Sequence, residues 1–453
     1  MIVFDIETDG LYDTVSRFHC IVWYDVLSGE GGHSTALSEA LRVLEGETVI
    51  GHNIIRYDLP VLEKLSGKKI TPKKVIDTLG VSWYLDNHRP KHGLESYGIE
   101  YNIPKVEIGD WENLTPDDYY RRCATDVEIN TRLWGNQVRY LEELYGDVGI
   151  SKILNYITFK LECARDQELN PIGLDYQRCK ELLDKLKVES EDKKCRLVES
   201  MPMVTTYKTV KRPKITHKLD GTLSKHGEMW FNLLKENGLP PTHTEPFKVA
   251  DGQEKPNPSS TPQIKSWLYS LGWKPKTFKY VKDKKTGKER AVEQVRNDGE
   301  LCESVIELKD KEPNLEYLEG LTVLEHRIGM LEGFLSCAIE VSGEYYLRAE
   351  IEGFTNTMRF KHRKPLVNLP GVDKPYGEEI RSLLVAPRGK KIVGADMVSL
   401  ESTTKRHYIY PIDPDYADEM SQPGFDEHVN LAVHAGAITE EEEKYYKCYQ
   451  QKT

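Results

Sequence analysis

The sequence predicts an α/β domain at the N-terminus, followed by a larger helix-rich region of α+β character. Over residues 1–148, short apolar strands alternate with segments of helical spacing, which is typical of α/β domains. After residue 148 the pattern changes to long helices, a lysine-rich segment and a few short strands. At 453 residues, and about 150 residues per domain, the chain has room for two to four domains.

Hydrophobic spacing gives the elements of the first domain. Strands are predicted at 1–7, 18–24 and 48–51, and helices at 36–44, 58–66, 75–85 and 115–134. Thr115 precedes Pro116 and has the side chain of a helix N-cap, so we expect the last of these helices to start there.

In the second region, residues 150–200 predict long helices with one interruption at 168–175. Residues 205–292 contain few aliphatic runs and two hairpin signals, at 217–224 with an Asp-Gly turn and at 280–292. Helical spacing returns at 314–340, and strands are predicted at 344–351 and 391–396.

Charge is distributed unevenly along the chain, whose net charge is −11. Residues 1–150 hold 15 Lys and Arg against 25 Asp and Glu, and residues 201–290 hold 18 against 8. This asymmetry predicts an acidic catalytic region beside a cationic region that binds nucleic acid. Solvated lysine-rich loops are the alternative interpretation of the cationic region.

Cysteine usage and hydropathy exclude some classes of protein for this chain. The eight cysteines form no CxxC pair, which disfavours a zinc site and indicates a reducing, cytoplasmic setting. No apolar run reaches the roughly 18 residues of a membrane span, so no membrane partner is expected. Residues 1–7 already predict a strand that carries acids, which disfavours a cleaved signal peptide.

Four carboxylates in the first 126 residues indicate metal chemistry. Asp5 and Glu7 lie two residues apart on a predicted strand, so their side chains share a face. Asp58 ends an N-x3-Tyr-Asp spacing that starts at Asn53, and Asp126 lies on a predicted helix. Clustered acids repel one another unless a cation lies between them, and hard oxygen ligands favour Mg²⁺ or Mn²⁺. Two such ions, about 3.5–4 Å apart, are suited to phosphodiester hydrolysis.

In order and separation, these blocks resemble the three motifs of the DEDD superfamily of proofreading 3′–5′ exonucleases, which have an RNase H-like α/β fold. The resemblance covers about 150 residues. It implies that the four acids hold two Mg²⁺ or Mn²⁺ ions and that Asn53 contacts DNA.

One position departs from that family. Its members carry Tyr four residues before the last Asp, or His five residues before it, to orient the attacking water. Here those positions are Arg122 and Arg121. We expect metal binding to survive and hydrolysis to be weakened or differently assisted. Two interpretations of these arginines are open. They are a pair on the surface of the helix, or they contact a phosphate group.

The second half carries a further series of blocks. In order they are similar to the thumb and palm of family A DNA polymerases, the DNA polymerase I-like enzymes, of the bacteriophage kind. The blocks are Glu325–Gly329, Thr357–His362, Pro365–Pro370, Pro375–Arg381 and Val393–Glu401.

The resemblance implies roles by position. Asp396 would bind the metals of DNA synthesis, and Glu401 would pack against the incoming nucleotide. A helix cap is the alternative role for Asp396. Met358 stands where that family has Gly. The residues implied in DNA contact are Arg327, Arg359, Asn368 and Arg381.

Two parts of a complete family A polymerase have no match after Asp396: a fingers helix and a late His-Asp-Glu block with the second palm carboxylate. We therefore expect the N-terminal subunit, or a fragment, of a split polymerase whose second polypeptide carries both parts. A stand-alone 3′–5′ exonuclease and a non-catalytic DNA-binding scaffold of the replisome are the alternatives.

The expected organisation is an exonuclease domain at 1–148, the start of the palm and the thumb at 149–340, and a partial palm at 341–453. The expected nucleic-acid partners are single-stranded 3′ ends and primer–template DNA. A basic insertion at about 205–292 lies within the thumb and would bind duplex DNA or, alternatively, a processivity factor.

Overall fold

The computed structural model describes residues 1–106, 114–283, 287–297, 299–397 and 399–450, without the side chains of 147, 148 and 446–450. Two compact units are present, residues 1–387 and residues 388–453. The predicted domain boundaries near 148 and 340 both fall inside the first unit and stay predictions. Among the described helices, none combines the length and apolar character needed to cross a membrane.

The N-terminal part alternates strands and helices. Its strands are β1 (Ile2–Thr8), β2 (Phe18–Asp25), β3 (Gly31–Ser34), β4 (Thr48–Gly51) and β5 (Lys74–Asp77). Its helices are α1 (Leu37–Leu44), α2 (Asp58–Ser66), α3 (Thr78–Leu85), α4 (Leu94–Tyr101) and α5 (Pro116–Leu169). Helix α5 continues past the expected end of the domain and is broken at Gly146, which has a φ of 61°.

The five strands form one mixed sheet in the order β3-β2-β1-β4-β5. Strand β1 is antiparallel to β2 and parallel to β4. Because side chains alternate along a strand, β1 serves two cores. Phe4 and Ile6 pack with α1 and α2 on one face, and Val3 packs with α3 and α5 on the other. Asp5 and Glu7 lie two and four residues after Val3, so their side chains are on the same face of the sheet as Val3, the face that packs against α5.

Two expectations for this part need correction. The helix predicted at 75–85 starts only at Thr78, because Val75 and Ile76 pair with Val49 and Ile50 of β4. Asp77 then caps α3 by accepting a hydrogen bond from the backbone N–H of Leu79. Strand β3 and helix α4 were not predicted.

The remainder of the first unit contains the predicted interruption, β6 (Ile172–Leu174), followed by the long helix α6 (Tyr176–Ser200). The basic segment folds into two hairpins and two helices: β7 (Val204–Val210), α7 (Lys225–Glu236), β8 (Phe247–Glu254), α8 (Thr261–Ser270), β9 (Phe278–Lys282) and β10 (Glu289–Glu293). The hairpin predicted at 280–292 is confirmed by the pairing of β9 with β10, and residues 284–286 between them lie outside the described residues. The hairpin signal at 217–224 gives a single bridge, between His217 and Leu223.

Short elements complete this unit. They are β11 (Arg296–Asn297), β12 (Glu300–Leu301), α9 (Glu303–Ile306), a 3-10 helix (Pro313–Leu318), α10 (Leu321–Cys337), β13 (Ile339–Val341), β14 (Glu344–Leu347), β15 (Ile351–Phe354), β16 (Phe360–His362), α11 (Gly377–Ser382) and β17 (Leu384–Val385). Strands β13, β14, β6 and β17 form a four-stranded sheet in that order. The predicted helix at 314–340 thus divides into a 3-10 helix and α10.

The second unit is helical in its described residues: α12 (Leu400–Ile409), α13 (Pro414–Glu419), α14 (Glu427–His434) and α15 (Glu440–Gln450). The strand predicted at 391–396 is wrong, since these residues have no regular structure. A strand needs a neighbour for its backbone hydrogen bonds, and the described part of this unit contains no other strand.

A largely buried ion pair ties the α/β part to the following helices and strands. Arg56 donates two hydrogen bonds to the carboxylate of Glu168, at 3.0 and 2.5 Å, and a third to the backbone carbonyl of Ile351 at 3.1 Å. The backbone N–H of Ile351 donates to the same carboxylate at 3.2 Å. Trp83 packs edge-on against Phe354 beside this pair. The loop between β4 and α2 is therefore fixed to the end of α5 and to β15.

Replacing Arg56 by Met should leave Glu168 buried without its counter-charge. Breaking a fully buried pair in this way costs about 3–5 kcal/mol, so for this largely buried pair the free energy of unfolding should fall by up to that amount. Urea unfolding followed by tryptophan fluorescence measures the change. Arg42→Met is the control, because Arg42 pairs with Glu39 on the exposed surface of α1 and little change is expected. Equal losses in the two variants would contradict the importance of the buried pair.

Candidate functional site

The fold brings three of the four predicted acids together. Asp5 and Glu7 lie near the end of β1, and Asp126 lies on α5. One carboxylate oxygen from each lies within 4.8 Å of the other two. Asp58, the first residue of α2, lies outside this trio but close enough that its charge helps to raise the pKa of Asp5. We call the four side chains the acidic cluster.

Helix α5 is held against β1 by contacts on the same face as Asp126. Cys123, one turn earlier, is fully buried and donates a thiol hydrogen bond of 3.1 Å to the backbone carbonyl of Asp5. One further turn back, Tyr119 stacks on His19 of β2, with ring centroids 3.9 Å apart. Residues three or four apart share a helix face, so these contacts set the depth of Asp126 relative to β1.

A second set of hydrogen bonds shapes the loop that leads to Asp58. Asp77 accepts hydrogen bonds from the backbone N–H groups of Asn53 and Ile55, at 2.9 and 3.1 Å. Asn53 adopts a left-handed φ of 69°, and its side-chain oxygen is buried without a hydrogen-bond partner. The Tyr57 hydroxyl donates to the carbonyl of Gly10 at 2.6 Å. The loop is thus anchored to β5 on one side and to the end of β1 on the other.

Two cations enter the acidic cluster. The Arg122 Nε atom lies 3.0 Å from a Glu7 carboxylate oxygen, and the Lys105 Nζ atom lies 2.5 Å from Asp126 Oδ2. Arg122 and Glu7 are 19% and 13% exposed, so this pair is largely withdrawn from water. Arg121, in contrast, forms an exposed pair with Asp117. The two neighbouring arginines therefore have different environments, and only Arg122 touches the cluster.

Burial and mutual repulsion raise the pKa values of the acids. Burial is the main cause for all four residues. It raises the pKa of Asp5 well above its usual value, with further contributions from Asp126, Asp58 and Glu7. It raises the pKa of Glu7 to about 7 against the opposing effect of Arg122, and that of Asp58 to about 8. The pKa of Asp126 is also raised, although Lys105 lowers it.

The donor set fits a hard divalent cation. All the converging ligand atoms are carboxylate oxygens, which suit Mg²⁺ and Mn²⁺. Asp126 is 5% exposed, and its Oδ1 atom is buried without a hydrogen-bond partner. Buried polar atoms are nearly always paired in proteins, so this oxygen is available as a ligand.

The residues predicted to contact DNA lie in the 1–387 unit. Arg359 and Asn368 are exposed. Arg327 on α10 donates to the carbonyl of Pro375 at 3.2 Å, and Arg381 on α11 donates to the carbonyl of Pro370 at 2.5 Å. Both arginines therefore also fix the chain between residues 370 and 375.

Asp396 and Glu401 lie in the 388–453 unit, and both are exposed. Glu401 is in the first turn of α12, whose N-cap is Ser399. Asp396 accepts a hydrogen bond from the backbone N–H of Met397 at 2.9 Å. Asp396 thus does not cap the helix, contrary to the alternative that the sequence left open.

Sequence reasoning missed Lys105 and Asp77. Lys105 lies in a loop after α4 and has no local pattern that connects it with Asp126, 21 residues later. Asp77 did carry a signal, because an acid between an apolar strand and a helix is a typical N-cap. The prediction of a helix across 75–85 concealed it.

Comparisons with known proteins give a consistent picture. The chain is 24% identical to DNA-directed DNA polymerases of Enterobacteria phage T3 and Escherichia phage T7, over 93% of this chain and 71% of each relative. Its fold is similar to the POL domain of Pol1 from M. smegmatis, solved with DNA primer-template and dNTP, with a TM-score of 0.58 and 14% identity. That match covers 99% of this chain and 66% of the solved chain. No protein-family model matches. These similarities support the resemblance to family A DNA polymerases.

The raised pKa values predict that, without divalent ions, the chain loses stability as pH rises. Unfolding releases Glu7 to its usual pKa near 4.5, whereas the folded pKa is about 7. The cost is therefore absent below pH 4.5, grows between the two values and is complete above pH 7, where it reaches about 3 kcal/mol for this residue.

Thermal unfolding in EDTA from pH 4.5 to 8 measures this loss. Glu7→Gln should flatten the pH dependence, whereas Glu128→Gln on the exposed face of α5 should retain it. An unchanged pH slope in Glu7→Gln would contradict the assignment of this cost to Glu7.

Proposed function

We propose that residues 1–148 form a metal-dependent 3′–5′ exonuclease, within a protein that belongs functionally with family A DNA polymerases. The supporting observation is the convergence of Asp5, Glu7 and Asp126 within 4.8 Å, with one buried oxygen of Asp126 left without a hydrogen-bond partner. Strand β1 and helix α5, which carry these acids, and the mixed sheet support the proposal of an RNase H-like nuclease. The similarity to phage DNA polymerases over 93% of the chain supports DNA as the substrate.

Each residue of the site has a proposed role. Asp5, Glu7 and Asp126 hold divalent cations, and Asp58 completes the ligand set from α2. When bound, Mg²⁺ or Mn²⁺ supplies activation of a water molecule and stabilisation of the leaving oxygen. Asn53 lies in the loop that leads to Asp58, has a side-chain oxygen without a hydrogen-bond partner, and is proposed to orient the 3′-terminal nucleotide.

The rest of the first unit is proposed to bind primer–template DNA. Helix α10 and the segment from Thr357 to Arg381 carry Arg327, Arg359 and Arg381, and the basic segment at 201–290 has a net charge of +10. Cationic surfaces of this kind bind the phosphate backbone. The same segment is the proposed position for a processivity factor, if the protein uses one.

DNA synthesis is proposed to use Asp396 as a metal ligand and Glu401 as a contact to the incoming nucleotide. A second palm carboxylate and a nucleotide-binding fingers helix are also needed, and we find neither after Asp396 in this sequence. We propose that a further segment, on a second polypeptide or on a longer form of this one, supplies them. The non-catalytic scaffold remains a rival because Arg122 occupies the position of the water-orienting Tyr and contacts Glu7.

The exonuclease proposal predicts that Asp126→Asn abolishes degradation of DNA. The pure chain with Mg²⁺ and 5′-labelled single-stranded DNA should produce a ladder from the 3′ end, and the variant should lose at least about 10³-fold in rate, because the substitution removes a charged ligand. Glu128→Gln, two residues along on the exposed face of α5, is the control and should degrade normally. If neither the unaltered chain nor the control produces a ladder, the scaffold function is favoured.

The proposed division of labour predicts that Asp396→Asn separates the two activities. Degradation should proceed at the unaltered rate, since Asp396 lies in the 388–453 unit and the acidic cluster lies in the other. Primer extension, measured after the missing palm and fingers segments are added, should be lost. Retained synthesis would remove Asp396 from the site of polymerisation.

A further inference from the structure

We propose that the hairpin of β9 and β10 binds single-stranded DNA by stacking nucleobases on the exposed rings of Phe278 and Tyr280. The inference rests on the proposed binding of DNA by the basic segment. It goes further, because it names the form of DNA that this hairpin recognises and the side chains that contact the bases.

The hairpin leaves its aromatic side chains uncovered. All five residues of β9 are exposed, and the exposed fractions of Phe278 and Tyr280 are 44% and 71%. Tyr269, near the end of α8, is 47% exposed. Large apolar side chains that lie together on a surface are typical of a binding site. The neighbouring residues then indicate which molecule binds there.

Phe278 and Tyr280 lie on one face of the hairpin. They are two residues apart on an antiparallel strand, so their side chains point to the same side, about 6.8 Å apart. This distance is twice the spacing of about 3.4 Å between successive bases of a DNA strand. A base therefore has room to insert between the two rings and to contact both.

Tyr269 extends this face toward α8. Phe278 is directly opposite Glu293 in the hairpin, so these two side chains share the face. The Glu293 carboxylate accepts a hydrogen bond from the Tyr269 hydroxyl, and it lies 3.1 Å from the Nζ atom of Lys265. The three aromatic side chains thus follow one another from α8 along β9.

The base of the hairpin is fixed to the core of this part of the chain. Trp273, just before β9, is buried and donates a hydrogen bond of 3.1 Å to the Ser304 hydroxyl. The backbone N–H of Gln294 donates to the carbonyl of Thr277 at 2.9 Å. Binding costs less conformational entropy when the binding groups are held in place beforehand. The strand that carries the rings is therefore suited to bind without rearrangement.

The charge of the hairpin is complementary to a DNA strand. Residues 274–293 hold eight Lys and Arg against three Asp and Glu. Lys279 lies between the two aromatic residues in sequence, and Lys282 follows on the same face as Tyr280; both are exposed. Aromatic rings for the bases, together with cations for the phosphates, are the combination that binds single-stranded nucleic acid.

A single strand fits this surface better than a duplex does. In a duplex each base is stacked between its neighbours, and reaching it requires that it leave the stack. In a single strand the bases are free to stack on aromatic side chains. An acidic protein would also be attracted to the lysines, but its binding would not depend on nucleobases.

The test measures the affinity of the full-length chain for a fluorescein-labelled oligothymidylate by fluorescence anisotropy. EDTA is present, so that the strand is not degraded. Phe278→Leu and Tyr280→Leu should each weaken binding about fivefold or more, because each removes a stacking surface. Tyr280→Phe keeps the ring and should bind as the unaltered chain does. Tyr140→Leu is the matched control, since Tyr140 is 50% exposed on α5, outside the basic segment.

Two further DNAs separate stacking from charge. A strand of the same length with abasic sugars keeps the phosphates, and a duplex keeps its bases stacked. Both should bind Tyr280→Leu as they bind the unaltered chain. Lys279→Met, in contrast, should weaken the binding of all three DNAs and reduce the salt dependence, because it removes a phosphate contact.

Two results would overturn the inference while the proposed binding of DNA stands. They are an unchanged affinity of both Leu variants for oligothymidylate, and an equal loss of affinity for oligothymidylate and for the abasic strand. A different result would remove the proposed function itself: an unaltered chain with no salt-dependent affinity for single-stranded or duplex DNA. The failure of one proposal is thus distinguishable from the failure of the other.

Discussion

The cost of bringing four carboxylates together where water is scarce is the constraint on which the N-terminal α/β part depends. Strand β1 supplies two partly buried acids, and α2 and α5 supply one buried acid each. Ion pairs with Arg122 and Lys105 offset part of this electrostatic cost. The cost that they do not offset raises the pKa values of the acids. A site that is under electrostatic strain when empty is suited to bind cations, because binding relieves the strain. The repulsion among the acids lowers the stability of the empty fold, and the same repulsion favours the binding of cations.

The same constraint explains the contacts around the cluster. The acids have to stay close although they repel one another, so the elements that carry them are held by other interactions. Cys123 and Tyr119 fix α5 against the sheet, and Asp77 and Tyr57 fix the loop before α2. Arg56, in that same loop, extends the connection to α5 and β15. A displacement of the end of α5 or of β15 is therefore mechanically connected to the position of Asp58.

The sequence predicts the acidic cluster well because its pattern is local. Alternation along β1 and the spacing from Asn53 to Asp58 need no tertiary information, and helical spacing around Asp126 places that acid on α5. Lys105 and the contact of Arg122 with Glu7 depend on where a loop and a helix come to rest, which no local pattern specifies. The errors at 75–85 and 391–396 have a related cause. A short apolar run does not specify its own structure: residues 74–77 form β5 because β4 lies beside them, whereas residues 391–396 have no paired strand and no regular structure.

Two departures from the resembled families show how different the effects of single substitutions are. Met358 stands where family A polymerases have Gly, yet it retains the left-handed backbone, with a φ of 61°, in the turn between β15 and β16. Its side chain packs against the core on the α5 side of the sheet, which offsets the conformational cost of a non-glycine residue there. The turn between β15 and β16 therefore forms with Met at this position, and the substitution affects the stability of the turn. Arg122 also stands in a preserved position, one turn before Asp126 on the same face of α5, but it brings a full positive charge into contact with Glu7. The two side chains thus differ in what they bring: Arg122 places a positive charge in contact with Glu7 inside the acidic cluster, whereas Met358 adds apolar packing in a turn.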